Sequence, residues 1–248
     1  MNPGRDAVIV VPTYDEAANI DEVLDRLAAA VPDVDVLVVD DNSPDGTAAL
    51  VRARPDHGLR CHVLDRPGRQ GLGAAYRAGF GWALDRGYSA VVQMDADLSH
   101  PPERVPALLE ALERSDVAIG SRYVVGGGVE NWPWHRRFIS WAGNAYVRWV
   151  LGVEVHDNTA GFKAFRRAGL IEIGAVDSDS DGYCFQVENT WRAARLGLRI
   201  IEVPITFRDR TAGTSKMSGA IVLEAVRRVL LWRWNETFTG ATRRKALV

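Results

Sequence analysis

The chain has 248 residues, of which 47% are hydrophobic and 25% charged, and its formal net charge at pH 7 is −2. This composition predicts one globular domain with a sizeable core, and the two cysteines, Cys61 and Cys184, exclude a disulfide framework and fit a reducing cytoplasm. The longest uncharged stretch, 138–147, has ten residues and excludes a membrane-spanning helix, which needs about 20. We also expect no signal peptide, because only a five-residue apolar run follows the polar residues at the start of the sequence.

The N-terminal part of the chain alternates between strand and helix patterns. The β-branched run 7–11 stops at the polar segment 12–16, and Asn19 is the predicted N-cap of the helix that follows. A second strand at 34–39 ends in the polar segment 40–47. This alternation predicts a parallel sheet, which binds its ligands at the carboxyl ends of its strands.

The predicted strand at 90–94 ends in Asp-Ala-Asp-Leu (95–98), the most informative segment of the sequence. Its two carboxylates are one residue apart and therefore point the same way at the end of a strand. Mg²⁺ or Mn²⁺ is usually held in this manner, with its other coordination positions open to phosphate oxygens. A solvated acidic turn is the alternative that these residues alone leave open. Because the segments at 12–16 and 40–47 also follow strands, we expect all three to share one rim of the sheet.

Two further elements are predicted in the second half of the chain. Residues 117–121 form a strand that ends in a loop, and Arg122 is the first residue of that loop. Residues 221–234 form a final amphipathic helix.

Five blocks stand out in order: Val-Pro-Thr-Tyr-Asp-Glu (11–16), Val-Val-Asp-Asp-Asn-Ser-Pro-Asp-Gly-Thr (38–47), Met-Asp-Ala-Asp-Leu-Ser-His-Pro-Pro-Glu (94–103), Gly-Ser-Arg-Tyr (120–123) and Val-Glu-Asn-Trp-Pro-Trp-His-Arg-Arg-Phe-Ile-Ser (129–140). The first four blocks resemble the inverting family-2 glycosyltransferases of the GT-A fold. The fifth is similar to the corresponding block of the polyprenol-phosphate (dolichol-phosphate) mannose synthases.

The resemblance implies a fold, a domain division and an activity. The fold is α/β: a single Rossmann-like GT-A domain with a mostly parallel central sheet flanked by helices, plus a C-terminal amphipathic helix. Residues 1–217 are then the catalytic domain, and residues 218–248 are its C-terminal basic helix and tail. The implied reaction transfers mannose from GDP-mannose to a polyprenyl monophosphate and gives a β-mannosyl phosphate by metal-dependent inverting displacement.

The resemblance also implies roles for individual residues. The nucleoside is bound by Pro12, Tyr14, Glu16, Val39 and Asp41. The donor diphosphate and its Mg²⁺ or Mn²⁺ are bound by Asp95, Ala96 and Asp97, with Ser99 standing where related synthases have a glutamine. The acceptor phosphate is bound by Arg122, Arg136 and Ser140, and a segment that closes over the diphosphate contributes Arg210 and Lys216. The implied catalytic residues are Asp95, Asp97, Arg122 and Arg136.

The implied mechanism needs no protein base. A lipid phosphate is already anionic at neutral pH and attacks the mannose anomeric carbon directly, so that catalysis is positioning and electrostatic stabilisation. None of the five histidines lies in a recognisable base motif.

Four other polar residues have more ordinary interpretations. Asp45, followed by glycine, is typical of a turn, and His100 belongs to the start of a helix rather than to the metal site. Lys163 is read as a solvated charge. Glu188, at the beginning of a predicted helix, either complements the helix N-terminus or binds acceptor-side groups.

Charge and tryptophan are unevenly distributed. Residues 208–248 contain nine Lys or Arg and three Asp or Glu, a local charge of +6, which leaves −8 for residues 1–207. Six of the eight tryptophans lie in two short segments: Trp132, Trp134, Trp141, Trp149, Trp232 and Trp234. Basic amphipathic segments with tryptophan suit an anionic membrane surface, and core packing of Trp141 and Trp149 is the alternative. We expect a cytoplasmic protein, peripheral at the cytoplasmic membrane face, attached through 132–151 and 221–245 or through a separate membrane subunit, with no nucleic-acid partner.

Other classes of protein fit the sequence less well. A dinucleotide-dependent oxidoreductase is disfavoured because Gly-x-Gly-x-x-Gly is absent after the first strand. A non-catalytic nucleotide-sugar-binding protein is disfavoured by the intact carboxylate pair. Within enzymes, the main alternative is a UDP-sugar-dependent polyprenyl-phosphate glucosyl or N-acetylglucosaminyl transferase. The Gln-x-x-Arg-Trp signature of processive polysaccharide synthases is missing.

Overall fold

The computed structural model describes residues 6–209 and 219–239, and its centre is a seven-stranded sheet. The strands of the described chain are β1 (Ala7–Thr13), β2 (Asp35–Asp40), β3 (Cys61–Asp65), β4 (Ala90–Gln93), β5 (Val117–Ser121), β6 (Gly128–Glu130), β7 (Lys163–Arg166), β8 (Ile200–Pro204) and β9 (Thr206–Arg208). The large sheet has the order β3-β2-β1-β4-β7-β5-β8. Only β7 runs antiparallel to its neighbours, so the prediction of a mostly parallel sheet is confirmed.

Helices cover both faces of this sheet. They are α1 (Ile20–Ala30), α2 (Thr47–Ala53), α3 (Leu72–Asp85), α4 (Val105–Ala111), α5 (Trp134–Leu151), α6 (Arg167–Glu172), α7 (Gly182–Arg195) and α8 (Gly219–Thr239). Alternate residues of β1 enter different cores: Ile9 packs with α1, α2 and α4, whereas Val10 packs with α3, α5 and α7. The flanked sheet agrees with the predicted fold class, and the amphipathic character of α8 stays a prediction.

The polar rim follows from strand register. Thr13 at the end of β1 pairs with Asp40 at the end of β2, and β4 lies on the other side of β1. β5 is separated from β4 by β7, whose first residue, Lys163, pairs with both Gln93 and Ile119. The segments that follow β1, β2 and β4 therefore meet at one edge of the sheet, as the sequence predicts, and the structure adds the segment that follows β5 to the same edge.

Two charged residues have surroundings that their predicted roles do not fit. Lys163 is 0% exposed, because antiparallel β7 lies between two central strands; the interpretation as a solvated charge is wrong. Glu188 lies in the middle of α7, which begins six residues earlier at Gly182, so it does not complement the helix N-terminus. Its carboxylate instead accepts a hydrogen bond from Ser178 Oγ at 2.6 Å and forms an ion pair with Arg192.

The long helix α5 carries its tryptophan side chains outward. Trp141 is 57% exposed and Trp149 is 84% exposed, so the alternative that these two tryptophans pack in the core is wrong. The core face of α5 is formed by Asn144, Val147 and Val150 instead. None of the helices in the described residues combines the length and apolar composition that a bilayer crossing requires.

Candidate active site

Two aspartates at the rim shape its loops. Asp40 accepts hydrogen bonds from Thr13 Oγ1 at 2.8 Å and from the Ser43 main-chain N–H at 2.8 Å. Asp45 accepts from the main-chain N–H groups of Thr47 and Ala17 at 3.0 and 2.9 Å, the turn role predicted for it. Although partial burial raises the pKa of Asp45, these hydrogen bonds outweigh it and lower that pKa below its usual value.

The predicted nucleoside residues lie together at the ends of β1 and β2. Pro12 and Val39 are buried register partners. Glu16 accepts a hydrogen bond from Asn19 Nδ2 at 2.8 Å. Tyr14 faces Arg69, whose guanidinium carbon lies 4.7 Å from the ring centroid. An aromatic face of this kind is a platform on which a base or a guanidinium stacks.

A loop after β3 contacts Asp41, the last of the residues predicted to bind the nucleoside. Arg66 Nη1 donates to Asp41 Oδ1 at 2.5 Å, and the main-chain N–H of Gln70 donates to Asp41 Oδ2 at 3.3 Å. Burial raises the pKa of Asp41, and Arg66 opposes that rise. The roles of Arg66, Arg69 and Gln70 were missed from the sequence, although Arg-Pro-Gly-Arg-Gln-Gly-Leu-Gly (66–73) has the glycine and basic residues of a ligand-side loop.

The carboxylate pair after β4 is held by its neighbours in the fold. Tyr76 Oη donates to Asp95 Oδ1 at 2.7 Å, and the Asp95 main-chain N–H donates to His100 Nδ1 at 3.1 Å. Asp97 Oδ1 accepts from the Ser99 main-chain N–H at 3.1 Å. His100 thus contacts Asp95 through its ring nitrogen Nδ1, and its exclusion from the metal ligands stays a prediction.

The oxygen atoms here fit a hard divalent cation. Ser99 Oγ is buried and has no hydrogen-bond partner among the described residues, which leaves its lone pairs available to a cation. Carboxylate and hydroxyl oxygens are the donors that Mg²⁺ and Mn²⁺ prefer. In the described part of the chain, no three His, Cys, Asp or Glu side chains group as metal ligands. The coordination shell would therefore be completed by water or by oxygens of a bound diphosphate.

The predicted acceptor residues lie beyond β5. Arg122 is buried and donates from Nε and Nη2 to the two carboxylate oxygens of Asp157, at 2.7 and 2.6 Å. Arg136 Nη1 donates to both carboxylate oxygens of Asp209 at 2.8 Å. Ser140 Oγ accepts from the Tyr123 hydroxyl at 2.7 Å. The sequence indicated no role for Asp157, which engages Arg122 through a bidentate ion pair.

An apolar cavity of about 110 Å³ opens beside Arg122, between α5, α7 and α8. This cavity is lined by the apolar side chains of Val147, Val187 and Val229, and also by Ser140. A second, more open pocket of about 380 Å³ is shared by Arg122 with Phe138 and Trp141 of α5. Arg122, the predicted phosphate-binding arginine, thus adjoins apolar surface on two sides.

Of the predicted site residues, Arg210 and Lys216 lie outside the described residues. Pro12 and Val39 lie near the ends of the strands β1 and β2, just before the rim, and the others, including Ala96 between the two aspartates, lie on the rim loops or on α5.

Comparison with known proteins identifies a family and several similar proteins. The profile described as Glycosyl transferase family 2 matches residues 8–174. A polyprenol monophosphomannose synthase of Mycolicibacterium smegmatis is 50% identical over 237 residues, which are 94% of this chain and 88% of that protein. An undecaprenyl-phosphate mannosyltransferase of Micrococcus luteus is 52% identical over 229 residues, 91% of this chain and 94% of that protein.

Solved structures give the same fold. Glucosyl-3-phosphoglycerate synthase from Mycobacterium tuberculosis, in complex with Mn²⁺, UDP and glucosyl-3-phosphoglycerate, aligns with a TM-score of 0.64. The alignment covers 94% of this chain and 80% of that one at 22% sequence identity. At this identity the likeness establishes the architecture alone.

Proposed function

The chain belongs to glycosyl transferase family 2 and, within it, to the polyprenol-phosphate mannose synthases, and on that premise we propose that it transfers mannose from GDP-mannose to a polyprenyl monophosphate. One observation carries the proposal: the carboxylates of Asp95 and Asp97 lie at the same sheet edge as Arg122, which also lines an apolar cavity. A donor diphosphate with its cation and a lipid phosphate with its apolar chain need this combination of surfaces.

The donor half of the reaction is assigned to the ends of β1, β2 and β4. The ring of Tyr14 offers a stacking face for the base, and Asp41 offers carboxylate oxygens to ribose hydroxyls or to a guanine edge. Asp95, Asp97 and Ser99 would hold the Mg²⁺ or Mn²⁺. When bound, that cation neutralises the negative charge that develops on the departing diphosphate.

The acceptor half is assigned to Arg122, Arg136 and Ser140. A guanidinium fork gives a phosphate two parallel hydrogen bonds, and its positive charge orients the attacking oxygen toward the rim. Asp157 fixes the orientation of the Arg122 fork. The phosphate oxygen is its own nucleophile, so no side chain has to remove a proton. A single displacement inverts the anomeric centre and gives the β-linked product.

We infer that the protein works as a peripheral protein at the cytoplasmic membrane face. The support is the outward row of aromatic residues on α5, with Trp134 and Trp149 both highly exposed, beside the pocket that Arg122 shares with Phe138. Tryptophan side chains are favoured at the interface between lipid headgroups and acyl chains. Attachment through a separate membrane subunit is the alternative.

The test is a transfer assay with purified protein, a polyprenyl phosphate and either Mg²⁺ or Mn²⁺. GDP-mannose, UDP-glucose and UDP-N-acetylglucosamine are supplied in parallel, and lipid extracts are analysed for a glycosyl phosphate. We expect mannosyl phosphate product from GDP-mannose alone, and we expect chelator to abolish it. Product from a UDP-sugar instead would overturn the donor assignment while keeping the rim and its cation.

A further inference from the structure

Asp95 is confined on more than one side. Its Oδ1 accepts the hydrogen bond from Tyr76, and its main-chain N–H is bound to His100. On the other side, a Cβ atom at position 161 would lie only 3.3 Å from Asp95 Oδ2, so Gly161 makes the space in which that oxygen lies.

Tyr76 is fixed in place more strongly than a surface tyrosine could be. The side chain is 0% exposed, and its ring stacks on Phe185 of α7 with 6.0 Å between centroids and 2° between planes. Phe80, one turn along α3, lies 5.8 Å from the same ring. A ring held by two aromatic neighbours keeps its hydroxyl at one position.

We propose that Tyr76 is a positioning residue that fixes the Asp95 carboxylate for the divalent cation of the donor complex. Residues that donate a hydrogen bond to a metal-binding carboxylate set its orientation, and their loss typically weakens metal affinity about 10- to 100-fold. The inference rests on the proposed function, because it needs Asp95 to serve a cation.

The position of Tyr76 on α3 connects two parts of the site. The loop that donates to Asp41 through Gln70 leads directly into α3, which begins at Leu72. The start of this helix is fixed by Asp181, whose Oδ1 accepts from the Gly73 main-chain N–H at 2.5 Å. One helix thus carries both the loop over the nucleoside residues and the hydroxyl that orients Asp95.

The test compares Tyr76→Phe with Tyr88→Phe in the full chain. Tyr88 is a matched control, because its hydroxyl also donates to a carboxylate, Asp35 Oδ2 at 2.6 Å, but at the opposite end of β2. Mn²⁺ affinity is measured by electron paramagnetic resonance titration in the presence of GDP, and thermal unfolding is recorded for each variant. We expect Tyr76→Phe to weaken Mn²⁺ binding about 10-fold and Tyr88→Phe to leave it unchanged.

A rescue separates positioning from packing. Incorporating 4-aminophenylalanine at position 76 keeps a donor at the same place on the ring, and we expect it to restore most of the Mn²⁺ affinity. Wild-type affinity in Tyr76→Phe, or equal weakening in both Phe variants, would overturn the inference while leaving the proposed function intact. Failure of the wild-type protein to bind Mn²⁺ with GDP would overturn the donor half of the proposed function, and the inference with it.

Discussion

At the scale of single residues, one rim contains aspartates with different roles, and their hydrogen-bond donors distinguish them. Asp40 and Asp45 accept main-chain N–H groups from their own loops, so their charge is used to shape the turn. Asp95 accepts from a tyrosine of another element and retains 25% side-chain exposure, so part of it faces the rim.

The first prediction at this scale concerns Asp97. Replacing Asp97 with Ala removes one of the two carboxylates and should lower the transfer rate by about 10²-fold or more, as loss of a preorganised charge-stabilising group does. The rate is measured with saturating GDP-mannose and polyprenyl phosphate. Asp65→Ala, at the exposed end of β3, is the control and should keep the wild-type rate. Near-normal turnover by Asp97→Ala would remove this residue from the mechanism.

Arg122 gives the second prediction. Lysine keeps the charge but cannot reproduce the bidentate contact with Asp157, so Arg122→Lys should raise the KM for polyprenyl phosphate. It should also lower the free energy of unfolding by about 2 kcal/mol, the value of one charged hydrogen bond. Denaturant titration and acceptor kinetics measure the two effects. Arg60→Lys, in an exposed pair with Asp33, is the control, and an unchanged acceptor KM in Arg122→Lys would contradict the role.

At the scale of elements, the position of β7 explains why Lys163 is buried, although the sequence predicts a solvated charge. An antiparallel strand between β4 and β5 has no exposed face, so Lys163 must be buried under α7. Its Nζ lies 2.7 Å from the Gln186 carbonyl oxygen and 2.8 Å from Thr190 Oγ1. Burial lowers the pKa of Lys163 to about 7, although Asp157 opposes the shift.

This burial predicts a pH dependence of stability. Between pH values of about 7 and 10.5, the unfolded chain keeps the Lys163 proton that the folded chain has lost. The free energy of unfolding should therefore rise with pH across this window, since the unfolded state binds more protons. Lys163→Met should flatten that rise, measured by urea denaturation at a series of pH values. An identical slope in wild type and variant would show that Lys163 does not titrate in this range.

At the scale of the whole molecule, the highly exposed tryptophans of the described residues lie on two helices that pack together. Trp141 and Trp149 project from α5, and Trp234 projects from α8, which packs against α5. The pocket of about 380 Å³ around Arg122 is lined by Phe138 and Trp141 of the same helix. If this side faces lipid, as we propose, a lipid phosphate can reach Arg122 without its apolar chain leaving the bilayer.

The prediction at this scale concerns vesicle binding. The double variant Trp141→Ser and Trp149→Ser should bind phosphatidylglycerol vesicles about tenfold more weakly than wild type, because two interfacial aromatic contacts are lost. Co-sedimentation measures the bound fraction. Leu59→Ser is the control, since Leu59 is 77% exposed but precedes β3, at the opposite edge of the sheet. Equal binding by the double variant would place the lipid contact elsewhere.

The sequence by itself determined the class of fold and the order of the rim loops. Strand periodicity and the polar segments after each strand are local signals, so β1, β2 and β5 and their loops could be predicted. Local turn chemistry likewise identified the role of Asp45. Resemblance to a known family added the predicted nucleoside and acceptor positions, which spacing alone does not reveal and which stay predictions.

Only the tertiary structure decided which side chains meet across the sheet. Tyr76 and Asp95 are 19 residues apart, and Arg122 and Asp157 are 35 apart, so their contacts arise only when helices and strands pack. The burial of Lys163 depends on the antiparallel insertion of β7, and the outward face of α5 depends on which of its sides meets the core. Periodicity records that a residue lies on a face of its element, and packing alone determines what that face contacts.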